Sequence, residues 1–223
     1  MPGPRRREGD RECADRPRQP VRPLPVTFYQ SEAQLPRPVR PGSNSEMDQF
    51  TLPYSEGAAV GYKWMDAKNL APLFPFGHGL SYTSFDYGPI SAAPGANGGV
   101  RVQFTLRNSG RRAGMAVGQV YAASAAGGWE APKRLVGYSK VALAPGASKT
   151  VSVDIDPRLL ATFDEAAHAW RIAPGSYTLS IGASSRDLRS NTTVTLPGLT
   201  LPSSWRPGQA AAAQAPQRGE RGR

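Results

Sequence analysis

The sequence predicts an all-β fold, an antiparallel sandwich preceded by an extended connecting segment and bounded by polar tails. The first observation is strict alternation: Val100, Val102, Phe104 and Leu106 are interleaved with Arg101, Gln103, Thr105 and Arg107, as in a strand with one buried face. The second is the recurrence of turn residues, Asn108-Ser109-Gly110, Ala144-Pro145-Gly146 and Ala173-Pro174-Gly175, between apolar runs. The third is composition. With 24 Gly, 22 Pro and 39% hydrophobic residues, the chain can bury a core but favours turns and strands over long helices.

Taken in order, residues 1–23 are Arg/Pro-rich and predict a disordered tail. Residues 24–84 form the connecting segment. Within it, Leu24 to Tyr29 is a β-prone run opened by Pro25, suited to a strand start or edge. Residues 36–53 are loose, and Gly61 to Asp66 is aromatic. Pro72 to Phe85 then crowds aromatics, glycines, prolines and His78 into a junction that needs a body to pack on. The sandwich is expected over residues 85–200. Its strands fall at 100–106, 115–123, 134–143, 151–155, 177–181 and 193–196, with a helical turn or two between Arg158 and Ala169. Residues 201–223 read as a second disordered tail. With no Cys…Trp…Cys pattern, a fibronectin type III-like sandwich fits better than an antibody-type one.

The net charge of +10 suggests polyanion binding until it is located. Seven Arg against four acids in residues 1–23, and four Arg against one acid in 206–223, place six of the ten charges in the tails. Without the aromatic-plus-basic motif of a nucleic-acid module, no specific nucleic-acid partner is expected. No apolar run is long enough for a membrane span, and no secretory signal opens the chain. The single Cys13 excludes an internal disulfide, and His78 and His168 lack ligand spacing, so neither a metal nor a cofactor is expected. No nucleophile elbow or phosphate loop is present. Asp154, Asp156, Asp164 and Glu165 are acids on a strand or turn, where solvent-facing and turn-capping roles come before catalysis. No catalytic constellation emerges. Tyr62, Trp64, Trp129 and Trp170 are candidate stacking platforms for sugar rings, with packing as the competing role.

Several motifs carry a resemblance. Leu24-Pro25-Val26-Thr27-Phe28-Tyr29, Glu56 to Asp66 (EGAAVGYKWMD), Leu73 to Thr83 (LFPFGHGLSYT), Pro132 to Val141 and Ile181 to Arg189 (IGASSRDLR) occur in order. They resemble the C-terminal end of glycoside hydrolase family 3, the β-glucosidase and β-xylosidase family. Lys63 and Met65 depart mildly from that family's pattern. The resemblance implies a fibronectin type III-like domain supporting two catalytic domains, which supply the nucleophile and acid/base upstream of the region matched. It therefore transfers no catalytic residue here and implies a non-catalytic, structural role for what reads as a fragment. Phe74, Phe76, His78 and Tyr82 become candidate interdomain packing residues, with family 3 catalytic domains as the partner. Two rival readings are a carbohydrate-binding module and an interaction module completing a separately encoded catalytic part. Localisation is left open: family relatives are often exported.

Overall fold

The computed structural model describes residues 23–38, 53–95 and 98–207. Most of both expected tails, and most of the loose stretch at 36–53, lie outside the described residues. Ten strands occur among the described residues: β1 (Phe85–Pro94), β2 (Val100–Asn108), β3 (Gly114–Ser124), β4 (Arg134–Leu143), β5 (Ser148–Ile155), β6 (Thr162–Asp164), β7 (Ala169–Ile172), β8 (Gly175–Ser184), β9 (Asp187–Leu196) and β10 (Leu199–Pro202). One α-helix, α1 (Tyr62–Ala67), precedes them.

The alternation in β2 has the expected consequence. Val100, Val102, Phe104, Leu106 and Asn108 are buried, while Arg101, Gln103 and Arg107 face out. β2 is the centre of the antiparallel sheet β1-β2-β5, and a second sheet, β4-β3-β8-β9, packs across it. Between them Phe104, Leu106, Val120, Leu179 and Ile181 form the middle of the core. Each such side chain contributes about 1.5–3 kcal/mol by leaving water. Gly118 makes room for this contact, since a Cβ there would lie 2.6 Å from Cε2 of Phe104. Asn108 ends β2 as a buried but satisfied polar group. Its Nδ2 donates to the carbonyls of Arg112 (2.7 Å) and Leu143 (3.1 Å), and its Oδ1 accepts from Thr83 Oγ1 (2.7 Å) and Gly110 N (3.1 Å). Tyr177 donates its hydroxyl to the Ala173 carbonyl at 2.7 Å, pinning the turn into β8.

The fold class is the expected all-β sandwich, with corrections at several places. β1 was not foreseen. It is an edge strand whose register slips between Tyr87 and Ile90, at Gly88-Pro89, so its sequence does not alternate cleanly. The expected helical stretch at 158–169 holds only one 3-10 turn, Pro157–Leu159, followed by the short hairpin β6–β7. Asp156 caps that turn by accepting from Arg158 N at 2.9 Å. β9 begins at Asp187, well before residue 193. The expected tail from 201 starts ordered: β10 spans the boundary at 200, Leu201 is fully buried, and Trp205 is buried beneath the Arg158 guanidinium. β10, β7 and β6 form a third, small sheet.

The run at 24–29 forms a single bridge, Phe28 with Phe74, and does not join the sandwich sheets. Phe28 N donates to the Phe74 carbonyl (2.9 Å), Leu24 N to the His78 carbonyl (2.8 Å) and Gly77 N to the Leu24 carbonyl (2.9 Å). Residues 24–28 and 72–78 therefore clasp one another.

Candidate docking face and groove

Two carboxylates fasten the connecting segment to the sandwich. Asp66, on the last turn of α1, has a side chain only 5% exposed and is bonded by Lys133 and by Arg186 Nη2, the latter at 2.9 Å. Arg186 also donates to the Leu70 carbonyl at 2.8 Å. Glu130, on the loop before β4, accepts from Lys63 Nζ of α1 at 2.5 Å and from Arg134 Nε at 3.0 Å. Partial burial works to raise the Glu130 carboxyl, but the Arg134 guanidinium and Lys63 ammonium outweigh it and hold the group at about 2. Such pairs are costly to break once desolvated, because the partner charge is left without compensation.

A polar and aromatic seam completes the attachment. Gly77 sits at φ +84 against Gln119, and a Cβ there would fall 2.2 Å from Gln119 Nε2, so this position needs glycine twice over. Gln119 is buried. It donates to the Ala183 carbonyl at 2.9 Å and accepts from Tyr121 Oη at 2.6 Å. Ser185 N donates to the Phe76 carbonyl at 2.9 Å. The Tyr62 ring lies between Phe76 (5.4 Å) and Tyr121 (5.8 Å), and its hydroxyl accepts from Leu135 N at 2.8 Å. Burial raises the pKa of both Tyr62 and Tyr121, so both remain neutral donors or acceptors.

Other side chains of this segment are apolar and exposed. Phe74 is 42% exposed, Tyr82 60% and Leu80 79%, and Val26, Phe28 and Leu73 are exposed in the clasped stretches. His78 is half-buried, stacked on Phe74 at 5.3 Å. Of the four aromatic positions expected to pack between domains, Phe74 and Tyr82 are exposed and His78 is half-buried beside a cleft that it shares with Met115 and Ala183. Phe76 turns inward onto Tyr62.

The four candidate stacking residues fall into two groups. Tyr62 and Trp64 lie on α1 and are committed to internal contacts: Trp64 Nε1 donates to the Gln34 carbonyl at 2.9 Å, and Lys68 sits 5.0 Å over its ring. Trp129 and Trp170 instead line two neighbouring clefts beside the small sheet. Trp170 meets Phe163 edge-on at 5.0 Å, and Trp129 lies under the Arg134 guanidinium at 4.3 Å. Three of the four acids weighed for catalysis have structural partners. Asp154 pairs with Arg101 at 2.6 Å, Asp156 with Arg158 at 2.8 Å, and Asp164 with Arg171 at 2.7 Å. The Arg101 hydrogen bond lowers the Asp154 carboxyl, and the Ala167 N–H does most to lower Asp164. Among the described residues no group of three metal-ligating side chains converges.

Sequence reasoning missed Asp66, Glu130, Lys133, Arg186 and Gln119 as functional positions. The signal for them lay in the family-like runs, which contain Asp66, Lys133 and Arg186.

The fibronectin type III-like domain family matches residues 116–185, that is β3 through β8 and the start of the β8–β9 turn. Thermostable β-glucosidase B of Acetivibrio thermocellus is 40% identical over 139 residues, 60% of this chain and 18% of that protein. A β-glucosidase from Streptomyces venezuelae, solved in complex with D-glucose, superposes with a TM-score of 0.70 at 44% identity, over 77% of this chain and 22% of that one. β-Glucosidase 3B from Thermotoga neapolitana gives a TM-score of 0.75 at 32% identity, over 82% and 26%. The chain spans roughly a fifth to a quarter of the length of these relatives.

Proposed function

On the premise that this chain carries the fibronectin type III-like region of the glycoside hydrolase family 3 β-glucosidases, we propose that it is a non-catalytic docking portion of such an enzyme. Its open apolar side, formed by Phe28, Leu73, Phe74, Leu80 and Tyr82, receives family 3 catalytic domains. The observation that carries the reading is the contrast within residues 23–38 and 53–84 between anchored and exposed side chains. The segment is anchored to the sandwich through Asp66, Glu130 and Gln119, yet it leaves large apolar side chains in water. Large exposed apolar side chains, with Phe28 and Phe74 in edge contact at 6.2 Å, beside a fixed polar anchorage support a protein-binding role. The locking fixes its shape before the partner arrives, which lowers the entropic cost of association. Phe74, His78 and Tyr82 are the contact residues in this reading, and Phe76 holds the patch from behind.

The test is association with a separately produced catalytic portion of a family 3 β-glucosidase. We expect a stable complex, a higher melting temperature for the catalytic portion, and turnover of an aryl β-glucoside only where that portion is present. Doubly substituted Phe74→Ser/Tyr82→Ser protein should lose the complex. Turnover by this chain alone that vanishes with an acidic-residue substitution would overturn the reading, as would an absence of association.

A further inference from the structure

Ion pairing covers the arginines of this protein except at one end of the sandwich. Seven of the eleven described arginines lie within 2.9 Å of a carboxylate. Arg206 donates instead to the carbonyls of Ser204 and Trp205. The other three, Arg107, Arg111 and Arg112, fall at the end of β2 and in the turn to β3, and all three are exposed. Lys149, opposite Leu106 in β5, is exposed at the same end. In the loops and strand ends that meet here, residues 81–86, 107–114 and 143–149, the one acid is Asp86. It stands opposite Arg107, and its Oδ1 accepts from Ser109 Oγ at 3.1 Å. Nearby Asp187 is taken by Arg189 at 2.5 Å. Four cations therefore stand against one carboxylate.

The turn that carries these charges is held against the exposed end of the connecting segment. Buried Asn108 donates from Nδ2 to the Arg112 carbonyl at 2.7 Å, which fixes the turn from below. Ser109 N donates to the Ser84 carbonyl at 2.9 Å. Gly110 lies so close to the segment that a Cβ would fall 2.2 Å from Thr83 Oγ1 and 2.7 Å from Ser84 N. Thr83 directly follows the exposed Tyr82, and Arg111 directly follows Gly110. Positive charge on a backbone held in place is thus set beside the Leu80–Tyr82 end of the apolar surface. Such a field favours an acidic counterpart, speeds its diffusional encounter and fixes its orientation. We propose that Arg111 and Arg112, with Arg107 and Lys149 adding to the field, steer an acidic face of the family 3 catalytic portion onto this end of the docking surface. The proposal rests on the docking reading and adds to it the charge of the partner and the edge at which it first arrives.

The experiment is stopped-flow association of the full chain with the separately produced catalytic portion of a family 3 β-glucosidase. It is run at about 20 mM and about 500 mM NaCl, where charges are screened over roughly 20 Å and 4 Å. Arg111→Ala/Arg112→Ala should slow association about tenfold at the lower salt and leave dissociation and melting temperature in place. At the higher salt the difference should vanish. Arg111→Lys/Arg112→Lys should keep the original rate, because steering reads charge rather than guanidinium geometry. Thr193→Glu/Thr195→Glu makes the same change in net charge at exposed positions of β9 and should leave the rate within about twofold. Association insensitive to both salt and Arg111→Ala/Arg112→Ala would overturn the steering and leave the docking reading standing. Equal slowing by the β9 variant would do the same, since net charge alone would then suffice. An oligonucleotide bound through these arginines, with association to the catalytic portion indifferent to them, would also overturn it. No complex at either salt would overturn both readings.

Discussion

The sandwich and the connecting segment solve the same problem, attachment to the rest of the molecule, by opposite means. In the sandwich, alternation sends apolar side chains inward from two sheets, and the largest of them, such as Phe104 and Tyr121, are almost wholly buried. Among the described residues only Tyr138, Leu159, Phe163 and Leu188 stand out there as exposed large apolar groups. The connecting segment reverses this. Val26, Phe28, Leu73, Phe74, Leu80 and Tyr82 are exposed, while its hold on the sandwich combines Asp66, Lys63 and Gly77 with the buried Met65 and the packed rings of Tyr62 and Phe76. The core is held chiefly by buried area, whereas this attachment adds a few charges and hydrogen bonds to the buried Met65 and the Tyr62–Phe76–Tyr121 seam. The ionic part of this hold can therefore be weakened without touching the core between the sheets.

The comparison can be broken at the core first. Phe104→Ala should cost about 3–5 kcal/mol and unfold sandwich and segment together, read as one shifted denaturation transition. A loss well under that would mean that the Gly118–Phe104 contact is not central. Asp66→Ala should act differently. Removing the carboxylate strands Lys133 and Arg186, and we expect about 2 kcal/mol, less than for a fully buried pair because Arg186 is partly exposed. Hydrogen exchange should then speed up in residues 24–30 and 62–84 while β2 and β8 stay protected. Gly77→Ala should cost about 1–3 kcal/mol through its left-handed backbone and the collision with Gln119, again loosening the segment selectively.

Acid offers a reversible version of the same separation. Glu130 is held at about 2, below its ordinary value of 4.5, so the folded attachment favours the ionised carboxylate. Its contribution is complete above about 4.5 and is lost as pH falls from there through about 2. Exchange in α1 should rise over that interval ahead of exchange in β2, and Glu130→Gln should remove that part of the pH dependence. The smallest effect is expected on the outer side. Leu80→Ser should change stability by less than about 0.5 kcal/mol, as for exposed sites elsewhere, yet reduce binding of a hydrophobic dye.

The sandwich was legible because its physics is local. Alternation in β2, β5 and β8 and the turns between them can be read within ten residues of sequence. The strands that escaped lack that regularity. β1 is interrupted by Gly88-Pro89, β6 and β7 are too short to show a period, and β10 with Trp205 lies in a stretch whose composition looks like tail. The attachment was illegible for a different reason. Lys63 and Glu130, like Asp66 and Lys133, are 67 residues apart, and no periodicity joins two side chains across such a distance. Exposed aromatics could be suspected at Phe74 and Tyr82, but which of Phe74 and Phe76 faces water is settled only by the clasp with residues 24–28.

The central claim is that the exposed apolar side chains of residues 24–28 and 72–82 form a preformed docking surface. It is tested most directly by hydrogen-exchange mass spectrometry of this chain with and without the catalytic portion of a family 3 β-glucosidase. The account predicts new protection at residues 24–30 and 72–84, with β2 and β5 unchanged. Unaltered exchange in those two stretches, or protection confined to the outer face of β2 and β5, would contradict it.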